Sequence, residues 1–147
     1  VPPPMPLATA AGWTEACGEC HLAYHPSLLP ARSWDRMLAD QADHFGEDLG
    51  FDAPTVATLS GIAHGFGADL GATEHAARVA AEEGTPASIT DSATWNAEHA
   101  RLAFGPDDHP SRCLACHADA EVGSFDGATI TTDATDATNT NLTNGGS

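Results

Sequence analysis

The sequence predicts a mainly α fold of short helices joined by long loops. Apolar residues recur at helical spacing between cap and stop residues. No strong strand pattern precedes Ile130. The 147 residues hold 14 glycines and 10 prolines but only 6% aromatics, which favours short elements and long connections. The length suits one domain. So few bulky side chains leave little with which to build a core, and something other than side chains is expected to fill part of it.

Residues 1–8, with prolines at 2, 3, 4 and 6, read as an extended arm. A helix is expected from Thr9 to His21, with Trp13, Ala16 and Cys20 at helical spacing. His25-Pro26 and Pro30 mark a loop. Ser33 reads as the cap of a helix reaching Phe45, with Trp34, Met37, Leu38, Gln41, His44 and Phe45 near one face and Gly46 as its stop. Asp52 and Pro54 open another helix to about His64, and a glycine-rich break follows at Gly65, Gly67 and Gly71. Thr73 to Glu83 is helical by alanine content. Asp91 or Ser92 caps a helix from Ala93 to Phe104 that carries Trp95, His99 and Leu102 on one face and stops at Gly105-Pro106. His109-Pro110 begins a further short helix. The domain is placed at 9–128, followed at 129–147 by a Thr/Asn-rich tail that reads as flexible. That tail contains the glycosylation sequon Asn141-Leu142-Thr143, and its threonines would also suit a strand paired with a neighbouring molecule.

Charge narrows the function. There are 21 acidic and 5 basic residues, all five arginines, for a net charge of −16. Neutralising phosphates takes a Lys/Arg stripe, so ordinary nucleic-acid binding is excluded, and the charge argues against docking on an anionic membrane. The balance favours a soluble protein whose macromolecular partners present basic patches. No apolar run is long enough to span a membrane. The chain opens on Val1, as a processed product would.

The cysteines carry the chemistry. All four fall in two C-x-x-C-H motifs, Cys17-Gly-Glu-Cys20-His21 and Cys113-Leu-Ala-Cys116-His117. That spacing suits covalent haem c. Thiols at i and i+3 share a helix face, reach both vinyl groups and form thioethers, and the next histidine ligates the iron. A zinc ribbon would place its pairs about 15–20 residues apart, and Cys20 and Cys113 lie much further apart. A thioredoxin-like site needs a β-α-β pattern, and disulfides would not explain the two histidines. Two haem c groups are therefore expected, held by Cys17, Cys20, Cys113 and Cys116, with His21 and His117 as proximal ligands. Their apolar bulk would supply much of the missing core.

The sixth iron position separates electron transfer from ligand chemistry. Candidates are His25, His44, His64, His75, His99 and His109, against only Met5 and Met37. Met5 sits in the arm and Met37 in a tightly patterned helix, so bis-histidine ligation is expected, with lower potentials than a thioether would give. His44 and His99 follow Trp34 and Trp95 along apolar faces and are the expected distal ligands. His25 stands too close to His21 to reach round its own haem easily. His64, His75 and His109 read as surface or loop residues.

The words between the motifs add a resemblance. Cys17 to Tyr24, Ser27-Leu-Leu-Pro30, Ser33-Trp34 through Met37-Leu38, His44-Phe45-Gly46, Ile89-Thr90, Trp95 with Glu98-His99, Cys113 to Ala120, and Gly123 with Phe125 together resemble the small dihaem cytochrome c family. Its members accompany a small oxygen-binding cytochrome c and a membrane cytochrome b. The resemblance spans roughly 13–130. It implies two close, low-potential bis-His haems in an electron-transfer protein, with distal ligands in the His-Phe-Gly and Glu-His words, here His44 and His99. On sequence proximity, His44 is assigned to the first haem and His99 to the second. His25 departs from the pattern, standing where a proline or small residue is expected, and neither the tail nor the acidity follows from it.

Electron transfer without substrate turnover is therefore the expected function. A dihaem peroxidase, which needs an open iron position with an acid/base group above it, and a self-associating protomer of a haem-lined filament are the alternatives. Haem c attachment occurs outside the cytoplasmic membrane in prokaryotes, so a periplasmic or extracellular location is expected.

Overall fold

The computed structural model describes residues 4–100, 102 and 112–125. The α-helices are α1 (Leu7–Cys17), α2 (Ala31–Ala39), α3 (Ala53–Phe66), α4 (Glu74–Ala80) and α5 (Ala93–Glu98). Single 3₁₀ turns lie at Pro26–Leu28, Gln41–Asp43, Ala68–Leu70, Ile89–Asp91, Cys113–Ala115 and Ala120–Val122. Among the described residues there is no strand, only one antiparallel bridge between His44 and Glu47. The mainly α expectation holds. The tail, its sequon and His109 lie outside the described residues.

Three helices start where local chemistry says they should. Asp52 accepts a hydrogen bond from the Thr55 amide at 2.9 Å, and Pro54 sits in the first turn of α3. Thr73 accepts from the Ala76 amide at 3.0 Å to open α4. Ser92, rather than Asp91, caps α5 through the Trp95 amide at 3.2 Å. Glu82 reinforces that end. Its carboxylate accepts from the Ser92 hydroxyl and from the Ala93 and Thr94 amides.

Other boundaries differ from expectation. α1 begins at Leu7, inside the expected arm, and stops at Cys17 instead of His21. Gly18 closes it by donating to Thr14 O at 2.8 Å, and a Cβ at Gly18 would stand 2.6 Å from that oxygen. α2 starts two residues before Ser33, so Ser33 is buried inside the helix rather than capping it. Its amide end is capped from elsewhere in the chain: Asp69 Oδ2 accepts from the Ala31 amide at 2.7 Å. α2 ends at Ala39, and a 3₁₀ turn carries the chain to His44. α5 ends at Glu98, well short of Phe104.

The main core gathers Trp13, Leu28, Leu29, Trp34, Leu59, Ile62, Ala63 and Ile89. Trp13 and Trp34 meet edge to face at 5.2 Å between ring centres. Each indole N–H is satisfied by the loop after the first C-x-x-C-H. Trp13 donates to Tyr24 O at 2.8 Å, and Trp34 to Pro26 O at 2.8 Å. Arg32 ties α2 to the segment that follows α4 by donating to Glu82 O and Gly84 O. The core thereby anchors both the segment that follows His21 and the helix that leads to His44.

Candidate functional site

The first motif does not lie along a helix. Cys17 is the last residue of α1, and Gly18 to His21 form bends. The second keeps a helical turn: Cys113–Ala115 is 3₁₀, and the His117 amide donates to Cys113 O at 2.7 Å. Among the described residues the four cysteines form no disulfide. Burial pushes the Cys17 and Cys113 thiols up to about 11, so neither is poised as a redox thiolate. Among the described residues no three His, Cys, Asp or Glu side chains converge as a metal cage.

The structure instead brings histidines together in pairs. The His21 and His44 ring centres are 6.3 Å apart, and so are those of His99 and His117. Each pair joins a motif histidine to one from another element. A metal–imidazole bond is about 2.0 Å, and an imidazole centre lies roughly 1.2 Å beyond its nitrogen. Two imidazoles on opposite sides of one metal therefore have centres about 6.4 Å apart. Both pairs match that spacing, so the side chains fit an iron between them.

Neighbours orient the rings. His21 Nδ1 lies 2.7 Å from Leu22 O, and His99 Nδ1 lies 2.7 Å from Trp95 O. A carbonyl can only accept, so Nδ1 carries the proton in both and Nε2 keeps its lone pair for a metal. His21 also stacks near Tyr24 at 5.0 Å, and His99 lies against the Trp95 indole at 4.3 Å with the planes 15° apart. His117 meets the edge of Phe125 at 5.3 Å. Burial, and then the charge of His21, lower the pKa of His44 and favour the neutral ring that a ligand must be.

His44 is held by a loop rather than a helix. His44 and Glu47 exchange backbone hydrogen bonds across Phe45 and Gly46, both at positive φ (52° and 94°). This is the two-residue hairpin geometry that ordinarily takes Asn-Gly. Gln41 braces the loop from behind, accepting from the Phe51 amide at 2.6 Å and donating to Phe51 O at 3.0 Å. Ser33, Arg36, Met37, Asp40, Asp43 and Phe45 line a groove beside His44, and the buried Ser33 hydroxyl has no hydrogen-bond partner among the described residues.

The other described histidines have other work. His64 pairs with Asp35 at 2.6 Å, and His75 with Glu98 at 2.9 Å. His25 is only 2% exposed. Its Nδ1 accepts from the Ser27 amide at 3.1 Å and caps the turn Pro26–Leu28. Burial lowers its pKa to about 4. Its ring packs against Gly123, where a Cβ would come within 2.7 Å, so the segments following the two motifs touch. Sequence reasoning missed this contact, the Leu22 and Trp95 carbonyls, and the Tyr24 and Phe125 rings. Tyr24, Gly123 and Phe125 stand in the family words with no role assigned to them, and Trp95, one turn before His99, carries the clearest signal.

Residues 13–125 match the family described as dihaem cytochrome c. A comparison with curated proteins found no match. Among solved structures, the dihaem cytochrome c of Rhodobacter sphaeroides is 32% identical with a TM-score of 0.67, over 78% of this chain and 95% of that one. A structure of DHC purified from Rhodobacter sphaeroides is 31% identical with a TM-score of 0.58, over 78% of this chain and 96% of that one. A dihaem c-type cytochrome from Shewanella baltica is 28% identical with a TM-score of 0.66, over 83% and 89%. The chain thus belongs to the dihaem cytochrome c family, which carries two c-type haems.

Proposed function

We propose that this protein transfers electrons through two six-coordinate bis-His haems, His21 with His44 at the first and His117 with His99 at the second. Cys17 and Cys20 hold the first group as thioethers, and Cys113 and Cys116 the second. The observation that carries the reading is the ring-centre separation of 6.3 Å in both pairs. Bound haem supplies the one-electron Fe(III)/Fe(II) couple.

The chain's own residues set the conditions for that couple. The Leu22 and Trp95 carbonyls fix the tautomers of His21 and His99 and raise their basicity as ligands. The net charge of −16 favours the ferric state and low potentials. It also suits redox partners with basic docking surfaces. Contact between His25 and Gly123 keeps the segments following the two motifs together, which suits rapid transfer between the haems. The cofactor chemistry supports a periplasmic or extracellular location.

Optical and magnetic spectra of the holoprotein test the ligation. The expected result is low-spin iron at both haems and no rapid carbon monoxide binding after reduction. His44→Ala and His99→Ala should each open one haem, giving one high-spin, carbon monoxide-binding centre per molecule. High-spin ferric iron in the unaltered protein would overturn the proposal.

A further inference from the structure

The two histidine pairs have the same separation but not the same twist. The His21 and His44 planes are 29° apart, and the His99 and His117 planes are 79° apart. This difference bears on the iron electrons because an imidazole donates π density perpendicular to its ring. Near-parallel rings both raise the same iron d orbital and split the pair of dπ levels. Crossed rings raise one each and leave the levels nearly degenerate. A ferric ion with split levels has a resolved rhombic magnetic resonance spectrum. One with nearly degenerate levels keeps orbital momentum and shows a single strongly anisotropic feature at large g.

We propose that the two haem centres are electronically inequivalent by construction, crossed at His99/His117 and near-parallel at His21/His44, with Trp95 as the positioning residue that holds the crossed pair. The inference rests on the bis-His reading above. The His99 ring is gripped twice by one residue. Its Nδ1 donates to Trp95 O at 2.7 Å, and its face lies on the Trp95 indole at 4.3 Å with only 15° between the planes. The hydrogen bond fixes one edge of the ring and the stack fixes its tilt, so rotation about the ligand axis must break one of them. Trp95 packs against the main core, and its amide is bonded to the Ser92 cap of α5. The clamp is therefore built on a fixed element. At the other centre His21 is held by Leu22 O and Tyr24, a different pair of contacts that sets a different plane.

Low-temperature electron paramagnetic resonance of the fully ferric holoprotein tests this. The expected spectrum has two low-spin signals of equal spin count, one rhombic and one at large g. In His44→Ala the rhombic signal should be lost while the large-g signal stays. In Trp95→Leu, which keeps the backbone carbonyl but removes the stack, the large-g feature should shift toward rhombic or broaden, with the other signal unchanged. Trp95→Phe, which restores a flat ring, should recover most of the original signal. Two rhombic signals in the unaltered protein would overturn the inference while leaving bis-His ligation intact, and so would a Trp95→Leu change confined to the rhombic signal. A high-spin ferric signal would instead overturn the ligation on which it rests. If Trp95→Leu does not load haem, the unaltered protein and Trp95→Phe decide the matter.

Discussion

Gly123 and His25 show how much rests on single residues here. Gly123 has φ +78°, and a Cβ there would stand 2.7 Å from His25 Cγ. His25 cannot retreat easily, because it is buried and bonded to Ser27. Gly123→Ala is expected to cost about 1–3 kcal/mol from backbone strain and overpacking together, measurable by urea denaturation of the holoprotein. His25 adds a pH dependence. Its pKa falls from 6.5 to about 4 on folding because burial opposes the charged ring. The unfolded chain thus binds the proton more tightly, so the stability this residue supports is complete above pH 6.5 and is lost as pH falls toward 4. The span corresponds to roughly 3 kcal/mol. The many carboxylates also titrate as pH falls, so the measurement is the difference between the unaltered protein and His25→Gln. Equal pH slopes for the two would contradict the assignment. Neither role was legible in the sequence, because what buries His25 lies at the far end of the domain. The residues alone showed only that it was poorly placed to ligate its own haem.

Among the elements, the helices that begin on their own chemistry were legible and the helix that begins on another element's was not. Asp52, Thr73 and Ser92 each bond an amide three residues on, and each helix starts where its cap predicts. α2 offered Ser33, a good cap residue, at the wrong place. Its true cap, Asp69, arrives from 38 residues away, and Pro30 supplies the extended entry. The far end of α2 departs from expectation for a similar reason. The apolar face continues to Phe45, but the Gln41 side chain bonds to Phe51 and the chain folds into a loop around His44. His44, expected on a helix, stands instead on this loop, where its ring centre lies 6.3 Å from that of His21. Asp69→Ala should remove the nonlocal cap and cost about 1 kcal/mol, seen as a lower denaturation midpoint. Asp69→Asn should recover most of it, since an amide oxygen still accepts the Ala31 N–H. Equal losses in both would mean that Asp69 acts through its charge and not as a cap.

At the scale of the whole molecule, the motifs named the chemistry and the fold supplied the pairing. Two C-x-x-C-H words, and the short words between them, point to the haems and the family, and to four candidate iron ligands. Sequence proximity alone assigns His44 to the first motif and His99 to the second, and in the fold the ring centres of His21 and His44, and of His99 and His117, lie 6.3 Å apart. The few aromatics first looked like a missing core, yet Trp13, Trp34 and Trp95 sit in or against one, and Tyr24, Trp95 and Phe125 lie beside the paired imidazoles. The net charge of −16 remains the feature with the widest reach. Like charges on so small a body repel, and unfolding moves them apart, so salt should stabilise the fold. Screening shortens from about 10 Å at 0.1 M ionic strength to about 3 Å at 1 M. The thermal midpoint of the holoprotein should therefore rise across that range in sodium chloride. The bimolecular rate with a basic redox protein should fall over the same range, because the attraction that steers encounter is screened by the same ions. The two measurements separate the two meanings of the charge. A rising midpoint with a salt-independent rate would make the acidity an adaptation of the surface alone. A falling rate with an unchanged midpoint would place the effective charge at the docking face.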